Sequence, residues 1–158
     1  MAGAVLELGA LARIDLERLL DRYHLQLQWI GSGEPIPGSY WGEPEAGIIG
    51  NTVHARADTP VHSLLHEAAH LIVLPSERRA AVHTDATDSI EEEDAVLVLQ
   101  ALLADALPGV GRNRILADMD AWGYSFRLGS TKRWFQEDAD EAQAWLESRH
   151  LLQKGTGP

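Results

Sequence analysis

At residues 59–75 the chain reads Thr59-Pro60-Val61-His62-Ser63-Leu64-Leu65-His66-Glu67-Ala68-Ala69-His70-Leu71-Ile72-Val73-Leu74-Pro75. The apolar residues recur with helical spacing, which predicts a largely buried helix. Thr59 is the expected N-cap, and Pro60 suits the first helical position because an N–H there would have no partner. Pro75 ends the predicted helix, since proline cannot continue it.

The same helix carries the pattern H-E-x-x-H at residues 66–70. His66 and His70 are four residues apart and therefore lie on one helix face, where both imidazoles can bind one metal ion. Glu67 is offset around the helix, so it can hold a water bound to that metal. Buried polar side chains need partners, and a metal would supply one. The pattern predicts a zinc site with Glu67 as general base.

A catalytic zinc usually has three protein ligands, so a third residue is needed. The acidic run at residues 91–94 opens a second predicted helix, from Ser89 to Ala106. Counting back along its apolar stripe from Leu102 selects Glu92, which is the predicted third ligand. Glu93 lies one step round the helix and is the alternative. The run also fits an acidic helix start with a capping box, which would need no metal.

Composition narrows the class of protein. The chain has 158 residues, no cysteine, 45% hydrophobic and 23% charged residues, and a formal net charge of −11. This length predicts a single domain spanning residues 1–158. Without thiolates, zinc must be held by His, Asp or Glu. The negative charge argues against nucleic-acid and anionic-membrane partners. No basic leader or membrane-length apolar run is evident, so a soluble cytoplasmic protein is expected.

Hydrophobic periodicity predicts an α+β fold with a small, mostly antiparallel sheet packed against helices. Strands are predicted at Leu25–Ile30 and Ile48–Ala55, and further helices at Leu11–Tyr23, Arg112–Trp122 and from Thr131 to about Leu152. The second strand has two interpretations. It is a buried core strand, or it is an edge strand beside the cleft whose free N–H and C=O groups pair with an extended peptide.

The H-E-x-x-H pattern and the following Glu92-Glu93-Asp94-Ala95 together resemble the zincin metallopeptidases of the glutamate-ligand type. The short chain is similar to the small bacterial zincin-like proteins, including the ImmA/IrrE group. The resemblance covers about residues 48–103, and the helical part at about 112–152 lies outside it. It implies a minimal zincin fold in which a Glu near an alanine on the next helix completes the site. An Asn or Asp often follows that alanine in the group, whereas Val96 stands here.

The predicted function is a zinc-dependent metallopeptidase that acts on a peptide or protein. Zinc held by His66, His70 and Glu92 would activate a water, and Glu67 would take its proton. Tyr124 is a candidate donor to the anionic intermediate, with a capping or core tyrosine as the alternative.

A rival prediction is a metal-stabilised binding or regulatory protein without turnover, in which Asp85 or Asp88 adds a fourth ligand and closes the site. A metal-free helical domain is the third alternative.

Overall fold

The computed structural model describes residues 5–38, 44–74, 90–122, 135 and 139–148, without the side chains of residues 90–92 and 122. The first helix in the described residues is a short 3₁₀ helix at Leu8–Ala10. The helices and strands that follow are α1 Arg13–Asp21, β1 Gln26–Trp29, β2 Gly47–Ile49, β3 Thr52–Ala55, α2 Val61–Val73, α3 Ile90–Ala104, α4 Gly111–Trp122 and α5 Asp140–Ser148.

These elements confirm the predicted α+β class. The three described strands form one sheet in the order β1-β3-β2. β1 runs parallel to β3, and β2 runs antiparallel to it, so the sheet is mixed rather than mostly antiparallel. The predicted helix from Thr131 to about Leu152 is described only in part, at Phe135 and over Asp140–Ser148.

The predicted strand Ile48–Ala55 is in fact a hairpin of β2 and β3. Ile49 pairs with Thr52, which leaves only Gly50 and Asn51 as the loop. Gly50 has a φ of +59°. Two-residue hairpin loops need such left-handed backbone, and glycine adopts it without a Cβ clash. The Gly-Asn pair inside the apolar stretch was the signal that the single-strand prediction missed.

The hairpin also decides between the two interpretations of this stretch. β3 lies in the middle of the described sheet, so it is a core strand and the edge-strand interpretation is wrong for it. β2 is the strand at the edge, and the backbone N–H of Ile48 donates to the carbonyl of Gly38 at 3.3 Å. This outward-facing group of β2 is therefore already bonded within the chain.

Helix α2 begins one residue later than predicted. Pro60, rather than Thr59, occupies the N-cap position, with φ −61° and ψ 141°. The Thr59 hydroxyl instead accepts a hydrogen bond from the backbone N–H of Arg56 at 2.9 Å. Thr59 thus stabilises the turn that leads from β3 into the helix, and the helix begins without a side-chain cap.

Helix α2 is the centre of the core and contacts both the sheet and α3. Its residues are buried along almost the whole length, because apolar side chains face both neighbours. Complete burial of one leucine is worth about 1.5–3 kcal/mol. α3 in turn contacts α4 and α5, so it too is covered on several sides. No helix in the described ranges is long and apolar enough to cross a membrane.

Candidate metal centre

Two antiparallel helices bring the polar residues of the core together. His70 and His66 on α2 lie opposite Glu93 at the start of α3, and the backbone of His62 lies opposite Gln100 further along α3. Later residues of α3 therefore face earlier residues of α2, as expected for two antiparallel helices.

The two histidine rings point at a common position. His66 Nε2 and His70 Nε2 are 3.0 Å apart, and the ring planes cross at 83°. A tetrahedral zinc with bonds of 2.0–2.1 Å to two imidazoles separates their nitrogens by roughly 3.3 Å. The spacing of the two nitrogens is therefore close to that of two ligands of one ion.

The carboxylate of Glu93 spans both rings. Its Oε1 lies 3.5 Å from His66 Nε2, and its Oε2 lies 3.7 Å from His70 Nε2. Two imidazole nitrogens and one carboxylate form the set of protein ligands found in one class of catalytic zinc sites. The donors present in the structure therefore fit a zinc ion.

Glu67 completes the group at the same place. One carboxylate oxygen of Glu67 and one ring nitrogen from each of His66 and His70 all lie within 4.8 Å of one another. Glu67 is partly buried, whereas His70 is buried. A carboxylate this close to both histidines can reach a water placed between them.

Burial sets the charge state of the histidines. Desolvation lowers the pKa of His70 well below 6.5, and the neighbouring His66 lowers it further. The same two causes lower the pKa of the buried His62 to about 3. Both side chains are therefore neutral at pH 7, and a neutral imidazole offers the electron pair that a metal binds.

Gln100 connects the site to the core. Its Oε1 lies 3.0 Å from His66 Nδ1, and its Nε2 donates to the backbone carbonyl of His62 at 2.7 Å. The side chain is fully buried. Sequence reasoning missed this residue, although a lone glutamine in the apolar stretch from Ala95 to Ala104 was the available signal.

The predicted site residues His66, Glu67 and His70 are brought together as expected. Of the two candidates for the third ligand, Glu93 has its carboxylate at the histidines. The side chain of Glu92 lies outside the description, so its role stays a prediction. Counting from Leu102 could not separate the two, because Ala95 to Leu99 are buried all round α3 while Leu102 itself is half-buried.

Two histidines outside the H-E-x-x-H pattern also lie on described elements. His62 is buried on α2, and His54 lies half-buried on β3. Tyr124, the candidate oxyanion donor, lies outside the described residues, as do Asp85 and Asp88, the candidates for a fourth ligand.

Comparison of the chain with models of protein families, with curated proteins and with solved structures finds no match. The resemblance to zincins therefore stays a prediction from the sequence.

Proposed function

We propose that the chain is a zinc-dependent peptidase whose metal is held by His66, His70 and Glu93. The observation that supports this proposal is the convergence of both Nε2 atoms and one carboxylate, at separations of 3.0, 3.5 and 3.7 Å. These are hard or borderline ligands that zinc accepts, and a chain without cysteine has no thiolate to offer.

The energetics of the group favour a bound cation. The carboxylate oxygens of Glu67 and Glu93 both approach the two histidines and both present electron pairs there, and acceptors brought together away from water are costly. A divalent cation turns this repulsion into attraction, and metal binding then contributes to the free energy of folding. His70 is buried while His66, Glu67 and Glu93 are partly buried, so solvent screens this repulsion only in part.

Zinc, when bound, would polarise the carbonyl of a peptide and lower the pKa of an adjacent water. The chain's own contribution to the reaction is Glu67, which lies within 4.8 Å of both histidine nitrogens. Glu67 would accept the proton of the attacking water and deliver it to the leaving amine. His66 and His70 would hold the metal next to Glu67, because all three residues belong to one rigid helix. The reacting groups would thereby stay close to Glu67.

Metal analysis combined with a digest tests the proposal. Protein purified without an affinity tag is expected to contain one zinc per chain, and His66→Ala or His70→Ala should lose it. The zinc-loaded wild type should cleave members of a broad peptide library. Absence of any transition metal after zinc reconstitution would contradict the metal site. A zinc-loaded protein that cleaves nothing would instead favour the metal-stabilised binding or regulatory protein.

A further inference from the structure

We propose that Gln100 is a positioning residue for His66, which it holds in the tautomer that leaves Nε2 free to bind a metal. The part of this proposal that concerns the metal rests on the proposed function. The part that concerns the tautomer rests on two hydrogen bonds of a fully buried side chain.

The orientation of the Gln100 amide follows from its second partner. The backbone carbonyl of His62 can only accept a hydrogen bond, so the –NH₂ group of Gln100 must face it, at 2.7 Å. The reverse orientation would bring two acceptor oxygens together, with no solvent to separate them. Leaving a buried polar group unsatisfied is costly enough to select one orientation.

The tautomer of His66 follows from that orientation. Because the –NH₂ group faces His62, the Gln100 oxygen faces His66 Nδ1, at 3.0 Å. An amide oxygen accepts and cannot donate, so Nδ1 must carry the proton. A neutral His66 then has its electron pair on Nε2, the atom that lies 3.0 Å from His70 and 3.5 Å from Glu93.

The same reasoning assigns His70 in the metal-free protein. The hydrogen bond between the two Nε2 atoms needs one donor, and His66 Nε2 has no proton to give. His70 Nε2 must therefore carry a proton until a metal replaces it. The metal-free protein should thus contain the two histidines as opposite tautomers, which is a signature that a merely structural role for Gln100 does not require.

Gln100 carries a neutral amide where many metal sites have a carboxylate. Metal-bound histidines commonly donate their other N–H to a carboxylate, which raises their basicity. Gln100 fixes the ring without adding charge, and Glu67 and Glu93 already bring two carboxylates to the site. A glutamate at position 100 would still accept from His66, but it could not donate to the His62 carbonyl.

Histidine tautomers are measured directly by ¹⁵N NMR of the metal-free protein labelled at histidine. At a pH where both rings are neutral, the wild type should show His66 protonated at Nδ1 and His70 at Nε2. Gln100→Leu should shift His66 toward the Nε2-protonated tautomer, whereas Gln100→Glu should retain the Nδ1 proton. Zinc affinity of Gln100→Leu should fall by about 10–100-fold, as for other partners of metal-bound histidines.

Leu103→Ala is the matched control, because Leu103 is buried on the same helix one turn further from the histidines. It should lower stability without changing either the tautomers or the zinc affinity. A wild type with His66 protonated at Nε2 would overturn the proposal even if no Gln100 variant folds. Unchanged tautomer and affinity in a folded Gln100→Leu would also overturn it. A wild type with the expected tautomers that binds no zinc would contradict the proposed function alone.

Discussion

Glu93 Oε1 lies 3.5 Å from His66 Nε2, although the two residues belong to different helices and are 27 positions apart in the chain. This contact is made by the packing of α3 against α2. It involves Glu93, a residue of the acidic run at 91–94 whose side chain the structure describes.

Replacing Glu93 with alanine is expected to weaken zinc binding by more than about 100-fold, which exceeds the loss typical of an outer partner. The reason is that the substitution removes a carboxylate that lies 3.5 Å from His66 Nε2 and 3.7 Å from His70 Nε2. Competition titration with a zinc chelator measures the affinity. Glu92→Ala is the informative comparison, since the apolar stripe of the sequence selected that residue. A larger loss in Glu92→Ala than in Glu93→Ala would support Glu92, the residue selected by the stripe, as the third ligand.

Glu67→Gln should separate metal binding from catalysis. Glutamine keeps the size of the side chain but cannot accept a proton, so zinc content and melting temperature should change little. Peptide hydrolysis should fall by about 10²–10⁴-fold, the usual contribution of general acid–base catalysis. Digestion of the library, zinc analysis and a melting curve are the three measurements. The exposed Glu17 provides a control substitution, Glu17→Gln, which should leave all three unchanged. Equal cleavage by Glu67→Gln and wild type would exclude Glu67 as the base.

Acid should destabilise the metal-free protein from about pH 6.5 downward. Burial lowers the pKa of His62 from 6.5 to about 3, so the unfolded chain binds a proton in this interval and the folded chain does not. The unfolding free energy therefore falls as the pH falls, by an amount on the order of 5 kcal/mol across the whole interval for this one group. The lowered pKa of His70 acts in the same direction.

Urea unfolding in the presence of a chelator at several pH values measures this dependence. His62→Asn should reduce the slope of stability against pH between pH 6.5 and 3. The exposed His24 has a φ of +61°, which asparagine tolerates, so His24→Asn is the matched control and should keep the wild-type slope. An unchanged slope in His62→Asn would mean that His62 does not remain neutral in the folded protein.

The contact of Gly38 with β2 gives a prediction that is independent of the metal. Gly38 and Gly33 have similar φ angles, +74° and +77°. A Cβ at Gly38 would lie 2.5 Å from the carbonyl oxygen of Ile48, whereas at Gly33 it would meet nothing within 4 Å. Gly33→Ala should cost about 1–2 kcal/mol for the left-handed backbone alone. Gly38→Ala should cost about 1–3 kcal/mol more, because β2 must shift. Equal unfolding free energies of the two variants would show that the loop is free to move away from β2.

Local sequence determined the parts of the site that lie on one helix. The spacing of His66 and His70, and the position of Glu67 beside them, follow from the geometry of a single α-helix. The periodicity around them was enough to place α2 itself, with an error of one residue at its start.

Tertiary structure decided the residues that come from elsewhere in the chain. Helix α3 is covered by α2, α4 and α5, so apolar residues occupy several of its sides. Hydrophobic periodicity therefore cannot show which side of α3 faces α2. Only the packing of the two helices brings the carboxylate of Glu93 to the Nε2 atoms and the amide of Gln100 to His66 Nδ1. Similarly, the sheet order that places β3 in the centre depends on a parallel pairing between β1 and β3. Strand pairing depends on contacts between distant residues, which the local pattern of either strand does not contain.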